Sequence, residues 1–371
     1  MYRARAIGLS AVAILRHLSN EGQAYSAGVG HDGGGITGGW WQGYNLRLWY
    51  GGVKRGVEAL TLNIAAIIKE VGRGPRGARD ISGAAAEVLF NAMLEGRVPD
   101  LELGALLLAY RIKGESPEEL QGFMRALAAH TMALNAPGGA LPVLLPSYNG
   151  ARKLPNLTPL LAMLLAREGV PVLVHGPSQA HGRVTSGALF AELGMPVCDQ
   201  REAINKSLAD KHLAYVPLAT LAPGLERLLA VRVRLGVRSS AHTLAKLLDP
   251  FCGRALRVVS VTHPDYQKRM GEFLCAAGTP AMLMRGSEGE PVAGPRRALA
   301  MECIREGASI SLSSAEFAAD AALPASIEAA ATARWIERAL AGEVPVPQTL
   351  LSQCEWIAAA ARGERIPADP A

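Results

Sequence analysis

The chain has 371 residues, of which 49% are hydrophobic, 19% charged and 5% aromatic, and its formal net charge is +5. This length corresponds to about two domains of roughly 150 residues, so the chain can bury a substantial core, and its dilute charge argues against a disordered protein. No run of about 18 uncharged apolar residues occurs, so no membrane-spanning helix is expected.

The cysteine pattern argues against several kinds of site. Five cysteines are scattered along the chain without a CxxC pair, so a zinc ribbon, a disulfide scaffold and an iron–sulfur cluster are not expected. Free thiols of this kind fit a reducing compartment, and we predict a cytoplasmic protein.

Residues 1–60 differ from the rest of the chain. They contain three of the five tryptophans and a glycine-rich stretch, GVGHDGGGITGGWWQGYN, without a helical or strand period. We predict a poorly ordered extension here. The alternative is a secretion signal, in which Arg3 and Arg5 would precede the apolar run AIGLSAVAIL.

Residues 61–134 are predicted to form a small all-helical domain. NIAAIIKEVGRG is typical of an amphipathic helix that ends at Gly72, and Ser82 is placed to cap the next helix. A third helix follows Pro99 and ends at Gly114, and a fourth begins at Ser116 and is expected to reach about residue 134.

Residues 135–371 alternate between strands and helices. PVLLPS, VPVLVHG, RALRVVSVTH and AMLMRGSEG are apolar runs of strand length, and amphipathic segments separate them. This order predicts an α/β domain with a mostly parallel sheet covered on both faces. Alanine-rich helices around Trp335 and Trp356 are expected to complete it.

Two strand ends are candidate ligand sites, because parallel sheets bind ligands beyond their carboxyl ends. The first is the loop SYNGARK, residues 147–153, whose backbone N–H groups and two cations suit an anion. The second is His175-Gly176. An ordinary turn and a structural histidine are the alternative interpretations. No paired nucleophile and no HExxH motif points to a hydrolase.

Two arginine clusters are candidate polyanion contacts. Arg227, Arg234 and Arg238 would form one stripe if their segment were a continuous helix, with Arg232 lying off that stripe. Arg73, Arg76 and Arg79 lie on a glycine-containing loop. The alternative interpretation of each cluster is a solvated surface.

Five segments carry a family resemblance: IKEVGRGPRGARDIS, LEGRVPDLELGALLLAYRIKGES, LPSYNGARKLPNLTPLLAMLLAREGVPVLVHG, LGVRSSAHTLAKLLDPF and VTHPDYQKRMGEFL. Together they resemble the YbiB-type DNA-binding proteins, relatives of anthranilate phosphoribosyltransferase. The resemblance covers about residues 61–310. It implies the glycosyltransferase family 3 fold, in which the helical domain forms a homodimer contact and a groove between the domains holds the enzymes' active site.

The sequence departs from the enzymes at the motifs that bind phosphoribosyl pyrophosphate (PRPP). Ser147-Tyr148-Asn149-Gly150 stands where the enzymes have GTGGD, and Val174-His175-Gly176-Pro177 replaces KHGN. The magnesium-carrying Asp-Glu pair is not reproduced, since GSEGEP offers Glu288 and Glu290 out of phase. Arg232 matches the arginine that faces anthranilate. The loss of one hydrogen-bond donor to the leaving group typically lowers the rate by about 100- to 1,000-fold. Because several of these groups are replaced together, we assign no catalytic residue.

From this resemblance we predict sequence-independent binding of DNA, and possibly of RNA, by a homodimer without a metal or cofactor. The cations expected to contact phosphates are Arg73, Arg76, Arg79, Arg152, Lys153, Arg232, Arg234, Arg238 and Lys246. The expected remnant of the PRPP pocket comprises Ser147, Asn149, Gly150, Asn156, Thr158, His175 and Gly176. The alternative is a phosphoribosyltransferase that acts on PRPP, with Mg²⁺, and an aromatic amine or base. A small-anion sensor or a purely structural dimer is a third possibility.

Overall fold

The structure is a computed structural model that describes residues 62–74, 76–180, 182–314 and 323–366. The predicted extension over residues 1–60 and its alternative, a secretion signal, lie outside these residues.

Four helices open the described chain: α1 (Ile64–Val71), α2 (Gly83–Leu94), α3 (Asp100–Lys113) and α4 (Pro117–Ala129). The Ser82 side chain caps α2, and Ser116 and Glu119 form a capping box at α4. The fourth helix ends at Ala129, several residues before the predicted end near residue 134, because Met132 and Leu134 bond through their backbone N–H groups to distant carbonyl groups instead.

A buried carboxylate fixes the end of α3. Glu119 is fully buried and accepts hydrogen bonds from Lys113 Nζ at 2.6 Å, from the Ser116 backbone N–H at 2.8 Å and from that of Ile81 at 3.0 Å. Because each bond offsets the cost of burying the charge, the set holds the end of α3 against the loops that precede α2 and α4.

Seven strands form one sheet: β1 (Val143–Pro146), β2 (Val172–Gly176), β3 (Leu213–Pro217), β4 (Leu256–Ser260), β5 (Ala281–Met284), β6 (Ala300–Arg305) and β7 (Ala308–Ser313). Their order is β3-β2-β1-β4-β5-β6-β7. The first five strands are parallel and β6 and β7 are antiparallel. The predicted mostly parallel sheet is therefore confirmed, with three strands, β3, β6 and β7, that the sequence did not predict.

The remaining helices are α5 (Thr158–Arg167), α6 (Ser186–Glu192), α7 (Arg201–Lys211), α8 (Leu218–Leu221), α9 (Pro223–Ala230), α10 (Arg232–Leu235), α11 (Ser240–Leu247), α12 (Pro264–Ala276), α13 (Ala329–Leu340) and α14 (Gln348–Arg362). Within the described ranges, none of the helices is long and apolar enough to cross a membrane.

The two faces of the sheet bury separate hydrophobic clusters. Leu144 and Leu173 point into a cluster with α2, α3, α4, α8, α9 and α11, whereas Val143 and Val172 point into a cluster with α5, α13 and α14. This alternation follows from the two-residue period of a strand. The N-terminal helices therefore pack with a second helical segment, α8–α11, over one face of the sheet. The alanine-rich helices around Trp335 and Trp356 cover the other.

Candidate functional site

Three loops meet at the point where the strand order reverses. From β1, the strands β2 and β3 follow one another towards one edge of the sheet. From β4, which lies on the other side of β1, the strands β5, β6 and β7 follow one another towards the opposite edge. The loops that follow β1, β4 and β5 lie beyond the carboxyl ends of these strands. This is the position at which open parallel sheets bind ligands.

The loop after β1 holds a carboxylate of the chain itself. Glu290 Oε1 accepts the backbone N–H of Asn149 at 2.6 Å and that of Gly150 at 2.7 Å. Its Oε2 accepts the Ser147 hydroxyl and, at 3.4 Å, that of Thr158. Glu290 is buried, and burial raises the pKa of its carboxyl although these donors and Lys246 oppose the shift. The hydrogen-bond donors of the predicted pocket are thus occupied by a side chain of the loop after β5.

A second carboxylate occupies the rest of the same loop. The backbone N–H groups of Arg152, Lys153 and Leu154 all donate to Glu288 Oε2, at 2.9, 3.0 and 3.1 Å. Partial burial would raise the pKa of the Glu288 carboxyl, but the three donors outweigh it and hold the pKa below its usual value. We call residues 152–154 the amide nest.

The loop after β5 is folded tightly enough to present both carboxylates. Glu288 has φ +50°, which costs a residue with a side chain about 1 kcal/mol or more. Gly289 follows at φ +87°, and a Cβ there would lie 2.5 Å from Asn149 Nδ2. Glycine is therefore required at 289 for Glu290 to reach the amides of residues 149–150.

The other predicted pocket residues surround Glu290 or support its loop. Asn156 donates to Ser186 Oγ at 3.1 Å, and the same Ser186 hydroxyl contacts that of Ser147 at 2.7 Å. His175 is fully buried with its Nδ1 2.7 Å from the Tyr148 hydroxyl, and burial lowers its pKa to about 3. A Cβ at Gly176 would lie 1.9 Å from the Ser147 carbonyl oxygen, so only glycine fits there.

Cations line an open cleft in front of the amide nest. The residues around this space of about 380 Å³, the cationic cleft, are Arg152, Lys153, Arg183, Arg238, Thr262 and Glu288. Four positive side chains thus face a single carboxylate. Arg183 donates to the Gly150 carbonyl at 3.3 Å and Arg238 to the Asn149 side-chain oxygen, so both are held against the loop after β1.

Arg238, which lines the cationic cleft, lies near further positively charged side chains. The pKa of the Arg238 guanidinium is lowered, first by burial and then by repulsion from Arg232, Arg183 and Arg111. Arg111 belongs to α3 and Arg183 precedes α6, so separate parts of the fold contribute to one positive field.

A second cavity of about 390 Å³ shares Arg238 and Thr262 with the cationic cleft. We call it the tyrosine cavity, because Tyr110 and Tyr266 line it together with Arg269, His242 and Lys246. Arg269 lies over the Tyr266 ring, 5.7 Å from its centroid. The cationic cleft and the tyrosine cavity together form a groove between α3 and the sheet.

Lys246 stands at the inner wall of this groove. Its ammonium group donates to the Ser260 carbonyl oxygen. Burial, followed by repulsion from Arg238, lowers its pKa to about 8. Lys246 is thus a cation whose charge depends on pH near neutrality.

The predicted arginine stripe is wrong. The chain breaks between α9 and α10, and again at Gly236, where φ is +72°. The three arginines therefore have different surroundings. Arg227 donates to the Leu94 carbonyl oxygen, and Arg234 forms an ion pair with Asp100 at 2.8 Å. Arg238 lines the cationic cleft. Arg232, which lay off the predicted stripe, is close enough to repel Arg238.

The arginines of the loop after α1 have their own acidic partner. Arg73 lies 2.6 Å and Arg79 3.7 Å from Glu70. Arg76 is exposed on the same loop. None of these three lines the cationic cleft or the tyrosine cavity.

Several residues of the site were missing from the sequence prediction. Arg183 lies on a segment with no motif, and Arg111 and Arg269 lie in two of the segments that carry the family resemblance but were not predicted to contact phosphate. Only the folded chain brings them to Arg238. Glu288 and Glu290 had a usable signal, because they follow a buried strand and a parallel sheet would place their loop beside the loop after β1.

A magnesium ion of the kind that the enzymes' Asp-Glu pair carries does not fit the residues present. Glu288 and Glu290 both direct oxygens at backbone N–H groups instead of sharing a common ligand position. Across the described ranges, no three His, Cys, Asp or Glu side chains gather as a metal centre requires.

Sequence comparisons relate the chain to known proteins. Residues 65–131 match the helical bundle domain of a glycosyl transferase family. The chain is 45% identical over 290 residues to the uncharacterized protein YbiB of Escherichia coli (strain K12), which covers 77% of this chain and 91% of that protein. It is 29% identical over 199 residues to the anthranilate phosphoribosyltransferase of Desulfitobacterium hafniense (strain Y51), covering 53% of this chain and 58% of that enzyme.

Solved structures of anthranilate phosphoribosyltransferases share the fold of this chain. The enzyme from Thermus thermophilus superposes with a TM-score of 0.65 at 22% identity, over 80% of this chain and 88% of that one. The enzyme from Saccharomyces cerevisiae in complex with PRPP and Mg also gives a TM-score of 0.65, at 15% identity, over 81% of this chain and 89% of that one. These similarities establish the fold.

Proposed function

The chain belongs to the YbiB family and has the fold of anthranilate phosphoribosyltransferase, and from this premise we propose that it binds nucleic acid through the groove. The observation that carries the proposal is the convergence of Arg152, Lys153, Arg183 and Arg238 on one cleft. Seven Arg and Lys side chains line the groove against three acidic ones, Glu115, Asp265 and Glu288, and such an excess of positive charge attracts a polyanion and raises its local concentration.

The arrangement favours phosphate contacts without base readout. Arginine forks and lysine ammonium groups suit phosphate oxygens. The groove is an open space between α3 and the sheet, in which a nucleic-acid backbone could lie against these cations. DNA and RNA, single- or double-stranded, all carry the backbone that this chemistry recognises.

The alternative, a phosphoribosyltransferase, has less support. Its substrate would need the backbone N–H groups of the loop after β1, and Glu288 and Glu290 occupy five of them. Incubation with PRPP, Mg²⁺ and aromatic amine acceptors tests this activity. Steady release of pyrophosphate that stops in a His175→Ala variant would favour the enzyme over the proposal.

We also propose that two copies associate through α3. Leu101, Leu108 and Ile112 lie on one face of this helix and are 81%, 46% and 55% exposed. A dimer would offer two grooves to one strand and raise the apparent affinity by multivalency. Sedimentation of the wild type and of a Leu108→Asp variant tests it: the variant should be a monomer, and equal masses would refute the contact.

A salt series tests the nucleic-acid proposal. Fluorescence anisotropy with a labelled 30-nucleotide single strand and the matching duplex measures the association constant between 50 and 300 mM KCl. About four phosphate contacts predict a slope of log K against log salt near −3 for the single strand and −3.5 for the duplex. No binding at the lowest salt would refute the proposal.

A further inference from the structure

The amide nest is an anion-binding site in its own right. Three consecutive backbone N–H groups converge on one oxygen, Glu288 Oε2, within 2.9–3.1 Å. Concave groups of successive N–H donors bind anions in general, including phosphate. In this structure the anion is a carboxylate supplied by the loop after β5.

The two carboxylates of that loop are held very differently. Glu290 is buried, and two hydroxyl groups contact it in addition to the amides. Glu288 is only half-buried, lines an open cleft, and receives its three bonds from the nest alone. Rotation of its side chain would free the nest without unfolding the loop that Glu290 anchors.

The charge around the nest exceeds what Glu288 can neutralise. Arg152, Lys153, Arg183 and Arg238 line the cleft with Glu288 as its single acidic residue. A phosphate group carries up to two negative charges and more acceptor oxygens than a carboxylate. It can therefore accept from the nest and from the neighbouring cations at the same time.

We propose that Glu288 is an internal competitor for phosphate: it fills the amide nest in the free protein and leaves when a phosphate mono- or diester enters the cationic cleft. The inference deepens the proposed nucleic-acid function and rests on it for the source of the phosphate. Glu288 thereby sets the affinity of the cleft and rejects anions that bind more weakly than its own carboxylate.

The test compares Glu288→Ala with a matched control, Glu306→Ala. Glu306 lies in the exposed turn between β6 and β7 and also has positive φ, +52°. The two variants therefore make the same change of charge and of backbone preference. Titration calorimetry with inorganic phosphate, at constant ionic strength and pH 7.5, should give at least tenfold tighter binding for Glu288→Ala and no change for Glu306→Ala. Equal affinities for all three proteins would overturn the inference.

A second measurement uses the wild type and does not depend on the variant folding. With selective ¹⁵N labelling of Arg, Lys and Leu, phosphate should shift the amide signals of residues 152, 153 and 154 along one common titration curve. Unmoved signals up to 50 mM phosphate would overturn the inference.

DNA titration of the same two variants separates this inference from the proposed function. If Glu288→Ala gains phosphate affinity while no protein binds DNA, the competitor role stands and the nucleic-acid function fails. If all proteins bind DNA and Glu288→Ala gains no phosphate affinity, the competitor role alone is refuted.

Discussion

Removing the Glu290 side chain should destabilise the fold through the loop that it holds. In a Glu290→Ala variant the backbone N–H groups of Asn149 and Gly150 lose acceptors at 2.6 and 2.7 Å in a buried site. Each buried donor left unsatisfied costs about 1–3 kcal/mol. Relief of the buried charge and entry of water offset part of this cost. We therefore expect the free energy of unfolding of Glu290→Ala to be about 3 kcal/mol lower than that of the wild type.

The matched variant is Glu290→Gln, which keeps an oxygen for both amides and should cost only about 1 kcal/mol. For a chain of this size, with an unfolding entropy of about 2.1 cal/mol/K per residue, about 3 kcal/mol corresponds to a fall in Tm of about 4 °C. Differential scanning calorimetry measures both variants beside Glu306→Ala, in which an exposed side chain is removed. A Glu290→Ala protein that melts within 1 °C of the wild type, or above Glu290→Gln, would refute the role assigned to this carboxylate.

Three further predictions address the pocket and the groove. His175 stays neutral when folded, with a pKa lowered to about 3 by burial, whereas an unfolded histidine binds a proton near pH 6.5. Its stabilising contribution is therefore complete above pH 6.5 and declines as the pH falls towards 3. In urea denaturation, the free energy of unfolding of the wild type should fall by up to about 1.4 kcal/mol for each pH unit below 6.5. The His175→Gln variant should not show this fall. The Gly176→Ala variant, whose Cβ would meet the Ser147 carbonyl oxygen, should lose about 3 kcal/mol of its free energy of unfolding. The Gly138→Ala variant, which has open space around the new Cβ, should lose almost none. Equal melting temperatures for the two variants would contradict the close approach at Gly176. Because the pKa of Lys246 is lowered to about 8, raising the pH from 7 to 9 should weaken DNA binding in the wild type but not in Lys246→Met.

The sequence predicted the fold better than the site because helices and buried parallel strands leave local patterns. Ser82 and Ser116 mark helix starts, and PVLLPS and VPVLVHG are mostly apolar segments that contain the buried strands β1 and β2. β7 has no such signature, since most of its residues are exposed, and β3 follows α7 after a single residue. Neither strand could be recognised from period or length alone.

The site depends on contacts between residues that are distant in the chain. The loop after β1 was predicted to bind an anionic ligand, and in the structure its backbone N–H groups donate to carboxyl groups of the chain itself, about 140 residues away. The helical stripe was wrong because Gly236 ends a helix that periodicity alone would continue. Arg183 enters the cleft only because its segment bridges to the loop after β1, through Ala151 and Val184.

A charge reversal in the cleft tests the central claim most directly. Arg152→Glu/Lys153→Glu lowers the net charge from +5 to +1, and so does a control, Arg201→Glu/Arg334→Glu, at exposed positions on α7 and α13 that do not line the groove. Both are titrated with the labelled single strand at 50 and 200 mM KCl. The account predicts at least a 30-fold loss of affinity at 50 mM for the cleft variant, a salt slope reduced by about 1.4, and a small change for the control. Equal losses in the two variants would show that binding follows net charge and that the groove is not the nucleic-acid site.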